Sequence, residues 1–225
     1  TIVDGSLTGR VFNITGSGSG VSLRDLTVQR GSVTGNGAGI YAAGPLTLAN
    51  VNVLTSTATN GNGGGIYAGG TISLANVTLR GNAATSGSSA VEGGGLYALA
   101  PVHIENSIIQ GNSATGNSSN GRGGGLSVNG APAAVSGAQF LSNTAAVGGG
   151  AYVITGAAAL TATQFTANRG TVQGGGLYLD GGPLTGANLL LARNTSPLGA
   201  GIVVSNTTGA SSLAYTTIVS PTATS

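Results

Sequence analysis

Acidic side chains and a single histidine are the residues of this sequence that could carry acid–base chemistry. Cleavage of a polysaccharide requires two carboxylates that face one bond, or a basic side chain beside carboxylates that hold calcium. In the repeat register described below, no two acids share a strand face, and only Glu92 and Glu105 fall in units close enough to check as a pair. We therefore predict a protein that is not an enzyme. The residues considered are Asp4, Asp25, Glu92, His103, Glu105 and Asp180.

Metal sites have equally little support in the sequence. His103 has one nearby acid, Glu105, and the two are expected to form a surface pair on one strand. The chain has no cysteine and so offers no thiolate ligand. Its glycine-rich repeats contain no aspartate, unlike the calcium-binding repeats of β-rolls. We predict no metal and no cofactor.

Composition restricts the class of protein further. Charged residues make up only 5% of the 225 residues, whereas hydrophobic residues make up 40%, which is enough for a packed core. The seven basic residues are arginines spread along the chain, so they form no dense stripe for nucleic acid. No apolar stretch approaches the roughly 20 residues of a membrane-spanning helix. We expect no nucleic-acid partner and no membrane span.

A glycine-rich hexapeptide dominates the sequence and must set the positions of all these side chains. Successive copies start 26, 30, 30, 25, 26 and 25 residues apart. A period of this length marks a solenoid, in which each unit buries its core only against its neighbours. The copies occupy residues 37–42, 63–68, 93–98, 123–128, 148–153, 174–179 and 199–204.

Each repeat contains apolar residues for three short strands. In the unit that begins at Gly63, residues 66–68, 71–74 and 77–79 alternate with a period of two, and glycine- or asparagine-containing bends separate them. No helical periodicity occurs. With residues 1–31 counted as a leading coil, the sequence predicts a single all-β domain over residues 1–225. This domain is a parallel β-helix of about eight coils, each of 25–30 residues with three short strands.

Aligned repeats place five tyrosines in one outward column of the first strand. Equivalent rings on neighbouring coils lie about 4.8 Å apart and can stack. The column is either a strip that grips sugar rings or another protein, or a self-stacking ladder that only stabilises the sheet. The residues of this candidate binding strip are Tyr41, Tyr67, Tyr97, Tyr152 and Tyr178.

Two further columns contain amide side chains at bends. Asparagine tolerates left-handed turns, and stacked amides can hydrogen-bond from coil to coil, so we predict a structural ladder after the third strand and a second turn ladder before it. The ladder after the third strand consists of Asn82, Asn112, Asn143, Asn168 and Asn194. The ladder before it consists of Asp25, Asn50, Asn76, Asn106 and Asn188.

Two other surfaces are candidates for binding. The units with 30-residue spacing carry long loops over residues 83–92 and 113–122, and insertions in a solenoid often collect on the binding side. The loops are equally well explained if the solenoid merely tolerates their extra length and they bind nothing. A flat face of regularly spaced threonines would indicate ice binding, but the outward column of the second strand is irregular. That column reads Thr47, Ser73, His103, Ala134, Ala159 and Thr185.

Two repeated motifs resemble those of known bacterial surface proteins. Triple glycines begin at Gly148 and Gly174, and Phe-x-x-Asn elements span residues 140–143 and 165–168. These motifs resemble the repeats of polymorphic outer membrane proteins. More broadly, the chain resembles the right-handed parallel β-helices of the pectate-lyase-like superfamily. The resemblance implies a right-handed solenoid with a role in adhesion or display outside the cell.

From these features we expect a non-enzymatic, extracellular, structural or adhesive segment of a bacterial surface protein or filament. Neither residues 1–4 nor residues 220–225 read as a capping helix, so we expect flanking coils or copies stacked end to end. A glycan or cell-surface ligand is the expected partner of the tyrosine strip or the long loops. The alternatives are a polysaccharide-binding or polysaccharide-degrading β-helix and an ice-binding solenoid.

Overall fold

A computed structural model describes residues 1–117 and 120–219 of the chain. Within these ranges the strands pair in parallel from coil to coil, and no α-helix occurs. The strands form three sheets stacked as a β-solenoid of about eight turns, which confirms the predicted all-β fold of stacked parallel coils. Residues 118–119 of the second long loop, and the predicted uncapped end at residues 220–225, lie outside the described residues.

The hexapeptides form the first strand of each coil, in a sheet that we call sheet 1. Two apolar positions of each hexapeptide point inward, and the position between them points outward, because side chains alternate along a strand. Equivalent positions of successive coils lie side by side in register. The strands of sheet 1 are β2 (Phe12–Ile14), β5 (Ile40–Ala42), β8 (Ile66–Ala68), β13 (Leu96–Ala98), β18 (Leu126–Asn129), β22 (Ala151–Ile154), β26 (Leu177–Asp180) and β29 (Ile202–Ser205).

The second and third strands of each coil share one sheet, which we call sheet 2. In two early coils they form continuous nine-residue strands that bend at Asp25 (φ 53°) and Asn50 (φ 55°). In later coils a bend separates them, as at Asn76 (φ 54°). Asparagine and aspartate adopt this left-handed conformation more readily than other residues with a Cβ. The strands of sheet 2 are β1 (Ile2–Asp4), β3 (Val21–Gln29), β6 (Leu46–Leu54), β9 (Ile72–Ala75), β10 (Thr78–Arg80), β14 (Val102–Glu105), β15 (Ile108–Gln110), β19 (Ala133–Ser136), β20 (Gln139–Leu141), β23 (Ala158–Thr161), β24 (Gln164–Thr166), β27 (Leu184–Ala187), β28 (Leu190–Ala192), β30 (Ser212–Ala214) and β31 (Thr217–Val219).

The segments that follow the asparagine turn form sheet 3, which the sequence analysis treated as loops. That treatment was wrong because these short runs of small residues have little apolar character of their own and gain their pairing from the neighbouring coils. The long loops over residues 83–92 and 113–122 therefore begin and end in strands. The strands of sheet 3 are β4 (Ser32–Thr34), β7 (Thr57–Thr59), β11 (Ala83–Thr85), β12 (Val91–Glu92), β16 (Ser113–Thr115), β17 (Gly121–Arg122), β21 (Thr144–Val147) and β25 (Arg169–Gln173).

The core consists of apolar rows that run along the solenoid. Ile40, Ile66 and Leu96 belong to the inward row of sheet 1 and are fully buried. Phe140 and Phe165 are register partners on adjacent coils, and their rings stack with centroids 4.7 Å apart. Burial contributes about 25 cal/mol per Å² of apolar surface. Because each coil covers the rows of its neighbour, stacking of coils supplies the main stabilisation of the fold.

Backbone geometry requires glycine in the hexapeptides. The first glycine has a positive φ, 66° at Gly93, which residues with a Cβ rarely adopt. The second glycine passes close to other backbone: a Cβ added at Gly94 would lie 2.3 Å from the carbonyl oxygen of Ser113. No side chain fits at this distance. The first position is glycine in all seven copies, where the chain turns from sheet 3 into sheet 1, whereas the second position is alanine in two copies, at Ala38 and Ala200.

Candidate functional site

The tyrosine column lies on the outer side of sheet 1. Its members follow one another in register from coil to coil, with Ser127 in the middle position. The ring distances fall within the range of favourable aromatic pairs. Ring centroids are 5.0 Å apart for Tyr41 and Tyr67, 5.6 Å for Tyr67 and Tyr97, and 5.5 Å for Tyr152 and Tyr178.

Three of the five rings in this column are buried. Tyr97, Tyr152 and Tyr178 are only 6%, 5% and 9% exposed, and Tyr41 and Tyr67 are half-buried. Each ring packs against a neighbour in the stack, so little of its face remains for a sugar ring. This burial favours the self-stacking interpretation of the column over the binding strip.

Two arginines also pack on the tyrosine column. The guanidinium of Arg10 lies 5.1 Å from the ring centroid of Tyr41, and the guanidinium of Arg122 lies 5.7 Å from that of Tyr152. Both distances are within the range of cation–π contacts. Arg10 also donates from Nε to the carbonyl oxygen of Gly37 at 3.0 Å, which holds it against the turn.

Burial raises the pKa of Tyr67, Tyr97 and Tyr152 above the usual value of a phenol. The carboxylate of Glu92 adds to the increase for Tyr97 and Tyr152, because a nearby negative charge disfavours a phenolate. Arg122 opposes the increase at Tyr152, but burial has the larger effect. These side chains therefore remain neutral in the folded protein near neutral pH.

A buried acid lies beside Ser127, where the tyrosine column is interrupted. Glu92 is 8% exposed. Its Oε2 accepts a hydrogen bond of 2.8 Å from Ser127 Oγ, and its Oε1 accepts one of 3.0 Å from Arg122 Nη1. A buried carboxylate is costly unless it is paired and hydrogen-bonded, and both oxygens are satisfied here. The sequence analysis missed this cluster because its members lie 30 and 35 residues apart along the chain.

The other ionisable groups do not form a catalytic pair. Glu92 lies in sheet 3 and Glu105 in sheet 2, so the pair singled out in the sequence does not converge on one bond. His103 and Glu105 both point outward from β14, and the described residues include no ion pair between them. The half-buried Asp4 is hydrogen-bonded to Arg30, which holds its pKa well below the usual range. Within the described ranges, no group of three histidine or acidic side chains is placed to hold a metal ion.

The asparagines after the third strand form a buried ladder. The amide oxygen of Asn143 accepts hydrogen bonds from both the backbone N–H and Nδ2 of Asn112, each at 3.0 Å. Nδ2 of Asn143 in turn donates to the carbonyl oxygen of Ile109 at 2.8 Å and to Oδ1 of Asn168 at 2.9 Å. This pattern ties each coil to the next at the corner between sheets 2 and 3. The ladder consists of Asn82, Asn112, Asn143, Asn168 and Asn194, all at most 2% exposed.

Ser56 extends this ladder by one coil and was missed in the sequence analysis. Its backbone N–H donates to Oδ1 of Asn82 at 3.0 Å, and its Oγ accepts from the backbone N–H of Gly31 at 3.2 Å. The aligned sequence held a signal, since Ser56 follows Val53 by three residues as Asn82 follows Leu79. The shorter serine side chain accepts from the equivalent backbone N–H, but its hydroxyl donates to the carbonyl oxygen of Leu54 in its own coil at 3.2 Å.

The turn ladder before the third strand lies at the surface. Asn50 donates from Nδ2 to Oδ1 of Asp25 at 2.9 Å, and Asn76 donates to Oδ1 of Asn50 at 3.3 Å. All three residues have a positive φ. Because these amides are exposed, their contribution to stability is smaller than that of the buried ladder.

The two long loops stack on each other beside sheet 3. The backbone N–H of Asn117 donates to the carbonyl oxygen of Ser89, and that of Val91 donates to Asn120, both at 3.2 Å. A depression of about 280 Å³ lies on sheet 3 next to the second loop. Its lining includes Thr115, Gly121, Thr144, Arg169 and Thr171.

Across the described ranges, the chain contains no helix with the length and apolar character to cross a membrane. Comparison with protein-family models, with curated proteins and with solved structures finds no match for this chain. The strand pairing in the structure establishes a parallel β-solenoid. The finer resemblance to polymorphic outer membrane protein repeats and to the pectate-lyase-like superfamily rests on the motif residues alone.

Proposed function

We propose that this chain is a non-enzymatic structural rod of an extracellular bacterial surface protein or filament. The observation that carries the proposal is the buried ladder from Ser56 to Asn194, which hydrogen-bonds consecutive coils to one another. Every buried polar side-chain atom of the described residues has a hydrogen-bond partner. The buried polar groups thus fix each coil to the next, and a structural spacer needs such connections to keep its length and shape. The extracellular bacterial setting rests on the resemblance of the repeats.

The stacked rings support the same proposal. Tyrosines stack on the outer side of sheet 1, and Phe140 stacks on Phe165 on the inner side of sheet 2, so several pairs of adjacent coils share an aromatic contact. Eight coils at about 4.8 Å each give a rod about 38 Å long. Contacts that recur at this interval resist bending and extension along the rod, because a displaced coil would lose several of them at once.

An activity assay with a matched variant tests the non-enzymatic part of the proposal. The protein is incubated with neutral and acidic polysaccharides, and release of reducing ends and of unsaturated products is followed. We expect no turnover by the natural sequence. Turnover that disappears in Glu92→Gln and persists in the exposed control Glu105→Gln would refute the proposal and make the buried carboxylate catalytic.

Stacking of copies end to end is the second part of the proposal. In the last described coil, Leu213 and Ile218 are 47% and 51% exposed. Ile218 is the register partner of Leu191, which is 1% exposed, so the same row is covered one coil earlier. Because every coil in the rod covers the row of its neighbour, we propose that a further coil covers this one, either from a flanking part of the protein or from a second copy.

Negative-stain electron microscopy and light scattering test this stacking. Filaments, or a molecular mass that rises with concentration, are expected for the natural sequence. The variant Ile218→Asp should shift the protein toward single rods, whereas Ile108→Asp, which changes an exposed isoleucine on the side of sheet 2, should not. A strict monomer over a wide concentration range would exclude stacking and leave the structural-rod proposal intact.

A further inference from the structure

Sheet 3 presents two parallel rows of hydroxyl-bearing residues, interrupted only at Ala83, along four consecutive coils. Strands β4, β7, β11 and β16 pair in register, residue for residue. Their central residues point inward and are small, for example Ala58, Ala84 and Ala114. Their outer residues point away from the core because side chains alternate. We call these outer positions the hydroxyl face: Ser32, Thr34, Thr57, Thr59, Ala83, Thr85, Ser113 and Thr115.

The hydroxyls of this face are free to bind a ligand. None of its serine or threonine side chains forms a hydrogen bond within the part of the chain that the structure describes. Buried hydroxyls elsewhere are engaged, as Ser107 Oγ is with the carbonyl oxygen of Glu105 at 2.7 Å and Ser127 Oγ is with Glu92. Thr34, Thr59 and Thr115 are exposed, and the other hydroxyl-bearing residues of the face are half-buried.

The face has a fixed two-dimensional repeat. Register partners on successive coils lie about 4.8 Å apart, and outer residues two positions apart on one strand lie about 6.6 Å apart. The buried asparagines Asn82 and Asn112 immediately precede β11 and β16. Hydrogen bonds from Asn82 to Oδ1 of Asn112 fix these two strands relative to each other. The hydroxyl positions are therefore set before any ligand binds, which lowers the entropy cost of binding.

The chemistry of the face identifies its ligand class. None of its eight positions carries a charge, so an ionic polymer gains nothing there. None carries an aromatic ring, and the tyrosines lie on sheet 1, so the face offers no platform for stacking a sugar. Hydroxyls both donate and accept hydrogen bonds, and a regular lattice of them matches a ligand that is itself a regular lattice of donors and acceptors. Ordered water at the surface of ice is such a ligand.

We propose that the hydroxyl face of sheet 3 binds ice. The threonine methyl groups lie beside the hydroxyls and limit the number of ways in which bound water can be arranged. This places the array on a different sheet from the irregular column of Thr47, Ser73 and His103, which lies on sheet 2. The proposal goes beyond the structural role and does not depend on it.

Thr34 and Thr59 are the positions to change. Both are exposed and are followed by short turns, whereas Thr85 and Thr115 are followed by the long loops. In the double variant Thr34→Tyr with Thr59→Tyr, two rings project from the face and prevent close approach of a flat crystal surface. The matched control is Thr78→Tyr, which adds a ring to the outer side of sheet 2 at a half-buried threonine.

The experiment measures incorporation of the tagged full chain into a slowly growing ice hemisphere, together with thermal hysteresis by nanolitre osmometry. Circular dichroism and melting curves verify that each variant is folded. We expect the natural chain and the Thr78→Tyr control to enter the ice and the double variant to be excluded from it. Exclusion of the natural chain from ice would overturn the proposal. Equal loss in the control, or binding to insoluble cellulose without binding to ice, would overturn it as well.

Discussion

Replacement of Asn143 by alanine removes the centre of the buried ladder. The side chain donates to the carbonyl oxygen of Ile109 at 2.8 Å and to Oδ1 of Asn168 at 2.9 Å. Its own Oδ1 accepts two hydrogen bonds of 3.0 Å from Asn112, one from the backbone and one from the side chain. Alanine supplies none of these partners, so four hydrogen bonds are lost at one corner of the solenoid.

The magnitude follows from the groups that remain buried. Without Asn143, the backbone N–H of Asn112 and one hydrogen of its side-chain amide have no acceptor, and Asn112 is only 1% exposed. Each buried donor left without a partner costs about 1–3 kcal/mol, so the two together reduce the free energy of unfolding by about 2–6 kcal/mol. The lost hydrogen bond to Ile109 adds to this effect.

Guanidinium chloride unfolding, followed by far-ultraviolet circular dichroism, measures this loss. Asn52→Ala is the matched control, because Asn52 is exposed and donates only to Oγ1 of Thr27 at 3.2 Å. Surface changes of this kind alter stability by about 0.5 kcal/mol or less. If Asn143→Ala costs no more than Asn52→Ala at an unchanged denaturant slope, the ladder does not stabilise the rod and our reasoning is refuted.

Two further predictions concern the hexapeptide backbone and the tyrosine column. Gly94→Ala is expected to lower the melting temperature measured by circular dichroism, because its Cβ would lie 2.3 Å from a carbonyl oxygen and the backbone must move. Gly87→Ala adds a methyl group to open space and should melt like the natural chain. Equal melting of the two variants would contradict this packing argument. In an ultraviolet titration, Tyr67, Tyr97 and Tyr152 should ionise above the ordinary tyrosine pKa of 10.0. Since their pKa values are raised in the folded state, the stability linked to them is complete below pH of about 10 and is lost as the pH rises through the raised values. A folded protein in which all tyrosines titrate together near the ordinary value would show that the column is exposed.

Much of the solenoid was predictable because it depends on local preferences repeated at a fixed period. Alternation identified the inward rows, and Ile40, Ile66 and Leu96 are indeed buried. Asparagine before the third strand indicated a left-handed bend, which Asn76 adopts. Such features depend on one residue and its immediate neighbours, so a single sequence contains the information.

Sheet 3 was not predicted from the sequence because its strands are too short to show an alternation of apolar and polar residues. A segment such as Thr57–Thr59 is three residues long, and only pairing with Ser32–Thr34 and Ala83–Thr85 makes it a strand. The hydroxyl face went unrecognised for the same reason, since a segment treated as a loop has no defined outward side. The threonine column considered in the sequence therefore belonged to the wrong sheet.

The sequence by itself determined the repeat, the inward rows, the glycine turns and the position of the asparagine column, because these follow from spacing and from the φ preferences of single residues. Only the tertiary structure decided how much of each tyrosine is exposed, how Glu92 meets Arg122 and Ser127, and which hydroxyls lie on one face of a sheet. Those contacts join residues about one coil apart, 30 and 35 positions in the case of Glu92. Their geometry depends on the exact stacking of coils, and unequal loop lengths conceal that stacking in the linear sequence.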